Sequence, residues 1–149
     1  MRIGHYAVVD GREYPADAQY RHIWIYSSTS PPDHDGWAPF WDGRWRREVQ
    51  QSEVTSLVHV TTVATFDSLL VTVLSVDRTT GKIGFVASPG PGPADKQLAH
   101  PPHSELSPIL DNAASIEGWY GEVEPHRLTD VRSSTAELDV SLYGIPRPA

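Results

Sequence analysis

The chain has no cysteine. That absence rules out a disulfide framework and the thiol hydrolases, and it favours a reducing compartment, because small secreted domains often lean on disulfides. Long apolar runs are missing too. The longest apolar-leaning stretch, Leu69 to Val76, is strand-sized and broken by Thr72 and Ser75, too short to cross a bilayer as a helix. The opening Met1-Arg2-Ile3-Gly4-His5-Tyr6 lacks the apolar core of a signal peptide, so a cytoplasmic protein without membrane contact is expected. Cations are in short supply. Twelve basic residues against nineteen acidic ones give a net charge of −7. Nucleic-acid binding rests on neutralising phosphates, so this balance argues against it. It suits a basic protein partner, whose approach it would steer, and generic solubility accounts for the same charge. Arg44, Arg46 and Arg47 form the one local basic cluster, beside Trp45 on a predicted strand, and read as solvated strand-face residues.

Turn formers are plentiful. Thirteen prolines and eleven glycines cluster at predicted turns, which suits short strands better than long helices. A chain of 149 residues is one compact domain or two small, mutually dependent ones, with enough buried surface for a core that needs no staple.

The most specific signal is self-similarity. Trp45-Arg46-Arg47-Glu48-Val49 is echoed by Trp119-Tyr120-Gly121-Glu122-Val123, and without a gap Val54-Thr55-Ser56-Leu57 lines up with Leu128-Thr129-Asp130-Val131, 74 residues on. Upstream, Ile23 to Ser28 corresponds to Ile83 to Ser88, and Ala7-Val8-Val9-Asp10 to Ala64-Thr65-Phe66-Asp67. Each copy then reads as the same run of strands. Copy one has Tyr6 to Val9, a hairpin turn at Asp10-Gly11, a return through Glu13-Tyr14, strands centred on Trp24 and Trp45, and a long one from Val54 to Thr65. Copy two has Leu69 to Val76, a turn over Asp77 to Gly81, Ile83 to Ala87, and tail strands at 129–135 and 137–142. Its insertion, 88–115, opens with the helix-breaking Pro89-Gly90-Pro91-Gly92-Pro93 and ends on Ser107-Pro108, a helix start. One short helix is expected near 108–115. The fold class is therefore mainly β: two tandem SH3-like partial barrels, 1–61 and 62–149, or one antiparallel sheet shared by both, packed as one unit.

Catalytic motifs are absent. Gly90-Pro91-Gly92 has the spacing of a phosphate loop, but proline removes the N–H donors an anion needs. His100 and His103 lack the further ligands of a zinc site, so no metal and no cofactor are expected. No Gly-x-Ser-x-Gly occurs. Asp33-His34-Asp35-Gly36 puts an imidazole between carboxylates, yet Pro, Asp and Gly build turns for conformational reasons alone. An enzymatic role would have to rest on Asp33, His34 or His103. Four of the five tryptophans fall between residues 24 and 45. Trp24 and Trp45 sit on strands and read as core. Trp37, Phe40 and Trp41 lie on a loop beside Asp33, His34 and Asp35, and aromatic residues beside acids are what protein interfaces concentrate at their hot spots. These six residues are the candidate partner-binding set.

The opening Tyr6-Ala7-Val8-Val9-Asp10-Gly11-Arg12-Glu13-Tyr14, with Asp42-Gly43-Arg44-Trp45-Arg46-Arg47-Glu48-Val49 and Gly118-Trp119-Tyr120-Gly121-Glu122-Val123, resembles small bacterial proteins, especially actinobacterial ones, of the immunity-protein type found in polymorphic toxin systems. The resemblance implies a non-enzymatic inhibitor, an antitoxin that covers the active site of a cognate toxin, with NAD-consuming or nuclease toxins as imaginable targets. It maps no inhibitory residue. The competing expectation from the residues themselves is an SH3-like adaptor that binds a peptide or ligand between Trp37 and Trp41.

Overall fold

A computed structural model of the chain describes residues 1–19, 22–29 and 36–143. Its strands are β1 (Gly4–Val9), β2 (Arg12–Gln19), β3 (His22–Ser27), β4 (Ala38–Pro39), β5 (Trp45–Val49), β6 (Val54–Phe66), β7 (Leu69–Val76), β8 (Ile83–Ala87), β9 (Ser107–Leu110), β10 (Ile116–Val123) and β11 (Thr129–Glu137). All eleven join one antiparallel sheet, in the order β4-β5-β3-β2-β1-β6-β7-β8-β10-β9, with β11 also paired to β6. That is the second of the two arrangements expected.

The repeat is visible bond by bond. In β3 and β5, Ile23 faces Val49, Ile25 faces Arg47 and Ser27 faces Trp45. In β8 and β10, Ile83 faces Val123, Phe85 faces Gly121 and Ala87 faces Trp119, the same register shifted by the repeat. Pro39 opposite Trp45 is matched by Pro108 opposite Trp119. The hairpin turns agree as well, with Asp10 and Asp67 both at positive φ, 52° and 47°. One turn of 3-10 helix precedes the last strand of each copy, Gln51–Glu53 in the first and Pro125–Arg127 in the second.

Two compact units result, Arg2–Val60 with the chain from Ser134 onward, and Thr61–Ser133. The boundary falls inside β6, whose buried positions change from Val54, Leu57 and Val60 to Thr62, Ala64 and Phe66. In the first unit Ala7, Val9, Ile23, Ile25, Val49, Val54 and Leu57 form the core. In the second, Phe66, Val71, Phe85, Trp119 and Val123 are among the buried side chains, with the Phe66 and Phe85 rings 5.1 Å apart.

Three local expectations fail for physical reasons. No helix forms over 108–115: Pro108 enters β9, an edge strand where a missing N–H costs nothing, and the Asp111 carboxylate accepts N–H bonds from Ala113 and Ser115, both 2.9 Å. The helix is instead α1 (Ala94–Ala99), where Gln97 reaches back to bond the backbone of Gly90 and Gly92 and so fixes the Pro-Gly loop. Over 137–142 there is no tail strand either. β11 ends at Glu137, and Asp139 caps a 3-10 turn, Val140–Leu142, by accepting the Ser141 N–H at 3.0 Å. This segment, assigned by sequence to the second repeat, packs Leu138, Val140 and Tyr143 on the first unit's core. Gln51 holds it there: its amide nitrogen lies 3.1, 2.9 and 2.7 Å from the carbonyl oxygens of Val140, Ser141 and Tyr143.

Candidate protein interface

Strand periodicity builds the site. In β3 the side chains of Ile23, Ile25 and Ser27 are buried, so Trp24 and Tyr26 point to the opposite face. Trp24, expected in the core, is therefore an outer-face residue. Opposite them on β5 stand Glu48, facing Trp24, and Arg46, facing Tyr26. The connection into β5 turns tightly at Asp42 and Gly43, both at positive φ (59° and 69°), with the Phe40 N–H donating to the Arg44 carbonyl at 2.7 Å. This turn swings Phe40 and Trp41 onto the same face.

The outcome is an aromatic surface interleaved with two guanidinium groups. Phe40 and Trp41 stack at 5.9 Å with planes 8° apart, and Phe40 tilts against Tyr26 at 5.5 Å. The Arg46 guanidinium carbon lies 4.3 Å from the centre of the Trp24 ring and 4.7 Å from that of Phe40. Arg44 lies 5.3 Å from both Tyr26 and Phe40. Such contacts attract the cations to the ring faces. Neither arginine has a carboxylate partner among the described residues, and the Arg44 Nε is buried without a hydrogen bond. Glu48 is occupied by His22, whose Nδ1 lies 2.6 Å away. Burial, then the nearby Asp17 carboxylate, push the Tyr26 hydroxyl above its ordinary pKa, so it remains a neutral donor. Trp41 is 79% exposed.

The second copy shows what the scaffold itself requires at these positions. In matching registers Trp24 is replaced by Gly84, Tyr26 by Val86, Arg46 by Tyr120, and the Phe40-Trp41 pair by Ile109-Leu110. The fold forms with those residues. The aromatic and arginine side chains are additions to it.

Of the six residues singled out from the sequence, Asp33, His34 and Asp35 lie outside the described residues. Phe40 and Trp41 are brought together on the patch. Trp37 is not: it is half-buried, packs on the first core and meets Tyr14 at 5.6 Å. Trp24, Tyr26, Arg44 and Arg46 were missed as site residues, although W-x-Y and R-x-R spacing puts each pair on one face of a strand.

The second unit holds a polar cluster. His103 Nε2 donates to Asp67 at 2.8 Å, and its Nδ1 accepts the Glu105 N–H at 3.1 Å. The ring packs edge-on against Phe66 at 4.7 Å. Arg127 grips Glu105 through both carboxylate oxygens, 2.8 and 3.3 Å, and holds its pKa below the ordinary carboxylate value. Each group is paired within the chain, and the cluster ties the insertion to the Asp67 turn. Among the described residues no three His, Asp or Glu side chains gather as a metal-binding group, and no helix is long and apolar enough to cross a membrane. No protein-family model, no curated protein and no solved structure matches this chain.

Proposed function

We propose that this protein is a non-enzymatic, protein-binding inhibitor, an immunity protein that neutralises a cognate toxin domain by covering its active site. The observation that carries this reading is the outer face of β3–β5, where Trp24, Tyr26, Phe40, Trp41 and Arg44 stand in place of small or aliphatic residues of the other copy and Arg46 in place of Tyr120. Trp, Tyr and Arg are the side chains that carry most of the energy at protein interfaces. Here they are pre-stacked, so little side-chain entropy is lost on docking. The patch is the hot spot of a contact that needs about 1,600 Å² in total to be stable. The net charge of −7 steers a basic toxin toward the protein over a longer range. The immunity assignment within the binding class rests on the resemblance of the Tyr6–Tyr14 opening and of the two tryptophan motifs.

The reading is tested by co-expression with each toxin domain that a gene adjacent to this one is found to encode. The wild type protects growth, and Phe40→Ala with Trp41→Ala abolishes protection and weakens binding by about a hundredfold or more, as truncating two hot-spot residues does. Full protection by that double variant would sink the assignment of the patch.

A second reading, a peptide-binding adaptor, is favoured by one observation. Each copy places a turn of 3-10 helix before its last strand, an arrangement that small strand-built binding modules can share. It requires Trp37 and Trp41 to line one groove, whereas Trp37 packs on Tyr14 and the core. Tryptophan fluorescence that shifts with proline-rich peptides and ignores the toxin would favour the adaptor.

A further inference from the structure

We infer that the segment of partner laid on this patch is acidic, with a carboxylate received by Arg44 and Arg46 and an apolar side chain against Trp41. The inference rests on the protein-binding reading above and adds the chemistry of the contact.

Three observations converge on it. First, among the described residues both guanidinium groups meet aromatic rings and no carboxylate. A guanidinium stacked on a ring keeps its in-plane N–H groups for acceptors, and those N–H groups match a carboxylate. Among the described residues no carboxylate takes them. By contrast Arg2, Arg47, Arg127 and Arg132 are each paired to a Glu or Asp of the chain. Second, charge elsewhere sharpens the choice. With these two arginines set aside, ten basic residues remain against nineteen acidic ones. Glu48, held by His22, and Asp17 border the patch, so an acidic segment is repelled by most of the surface and attracted only at the two guanidinium groups, which is how complementary charge gives register and specificity. A basic toxin domain that carries one acidic segment would satisfy both the long-range field and the local site. Third, the second copy has Gly118 and Tyr120 where the first has Arg44 and Arg46, so the cations are not a requirement of the strand pair.

Nucleic acid is the competing occupant, since arginine with exposed aromatic rings also stacks bases. Two cations within an acidic protein neutralise few phosphates, which disfavours it.

The test is selection of a random twelve-residue peptide library on the whole protein, with binding of the selected peptides then read by the change in its tryptophan fluorescence. The expected outcome is Asp or Glu enriched at one fixed position beside an apolar residue. R44Q/R46Q then weakens the selected peptides by about tenfold or more, as loss of charge-assisted bonds does. R46Y, which installs the residue of the second copy at this register, weakens them without loss of fold and serves if R44Q/R46Q melts early. Selected peptides that are basic or uncharged, no enrichment at all, indifference to both variants, or a tighter complex with a twelve-nucleotide oligothymidylate would each overturn the inference. Growth protection separates it from its premise. If F40A/W41A loses protection while R44Q/R46Q and R46Y keep it, the acidic contact falls and the protein-binding patch stands; if all three variants protect, the patch itself falls.

Discussion

The two copies share a register and differ in what they display. At three core positions the copies hold equivalents: Ile23 and Ile83, Val49 and Val123, Val54 and Leu128, all buried. Where a side chain points outward they part, and the parting is compensated pairwise. Trp24 under Arg46 in the first copy becomes Gly84 beneath Tyr120 in the second, whose hydroxyl would lie 2.9 Å from a Cβ at Gly84. Duplication thus supplies an internal control. What both copies keep is scaffold, and what only one carries is a candidate for function.

The largest expected effect comes from erasing that difference. Replacing Phe40 by Ile, Trp41 by Leu and Arg46 by Tyr gives the first copy three of the second copy's outer-face residues, with Trp24, Tyr26 and Arg44 kept. Partner binding is expected to fall by about a hundredfold or more. Unfolding free energy measured in urea is expected to move by less than about 1 kcal/mol, as for surface changes that leave core and caps intact. A triple variant that unfolds, or one that still binds, would break the division between scaffold and site.

Next in size is a change inside the second core. Gly121 stands where the first copy has Arg47, and across the strand pair Phe85 stands where the first has Ile25. The exchange is forced by volume. A Cβ at Gly121 would sit 2.5 Å from Phe85 Cζ and 2.6 Å from Leu106 Cδ2. Gly121→Ala is expected to cost about 2 kcal/mol through overpacking. Adding Phe85→Ile, the first copy's residue, is expected to recover part of that loss by vacating the space. Non-additivity in this cycle, read by urea unfolding, is the measure; strict additivity would show that the two positions do not share one volume.

Much of this was legible in the sequence and some was not. Period-two alternation in Ile23-Trp24-Ile25-Tyr26 marks a strand, and the matched tryptophan motifs fix the register of both copies. Alternation also says that Trp24 and Ile23 face opposite ways, which the habit of counting tryptophan as core obscured. The helix expected near 108–115 failed because one side chain, Asp111, offers the backbone a competing set of bonds. Propensity does not weigh such a choice. That the chain beyond Ser134 belongs with the first unit depends on Gln51, whose bonds span about ninety residues and leave no local pattern. Of the site, the Phe40-Trp41 turn could be read from its glycine and proline setting, while its arginine partners required the pairing of β3 with β5.

The Gln51 contact gives a third, smaller effect. The second copy has Pro125 at the equivalent place in its 3-10 turn and no such clamp. Gln51→Ala is expected to cost about 1 kcal/mol, the usual net value for a hydrogen-bonded side chain that is partly exposed. Hydrogen exchange should localise the change. The Leu138 amide, bonded to the Leu57 carbonyl at 2.9 Å, is expected to lose protection while amides in β8 and β10 keep theirs.

The smallest effect is a pH dependence that one copy has and the other lacks. His5 and His59 are direct partners across β1 and β6, with rings 4.8 Å apart. At the equivalent positions of the second copy stand Thr62 and Ser133, joined by a 2.7 Å hydroxyl bond. Burial, then the neighbouring His59, lower the pKa of His5 below its ordinary value of 6.5, with Asp17 opposing. The folded protein therefore binds fewer protons at this site than the unfolded chain does. Its contribution to stability is complete above pH 6.5 and is lost as the pH falls through the lower folded value. His5→Thr with His59→Ser, the second copy's pair, is expected to remove that slope and leave a hydroxyl bond in its place. Urea unfolding between about pH 7.5 and pH 5 measures it, with an expected difference of about 1 kcal/mol or less. Equal slopes in variant and wild type would mean that the acid sensitivity of the fold lies elsewhere, and that this exchange between the copies is one of packing alone.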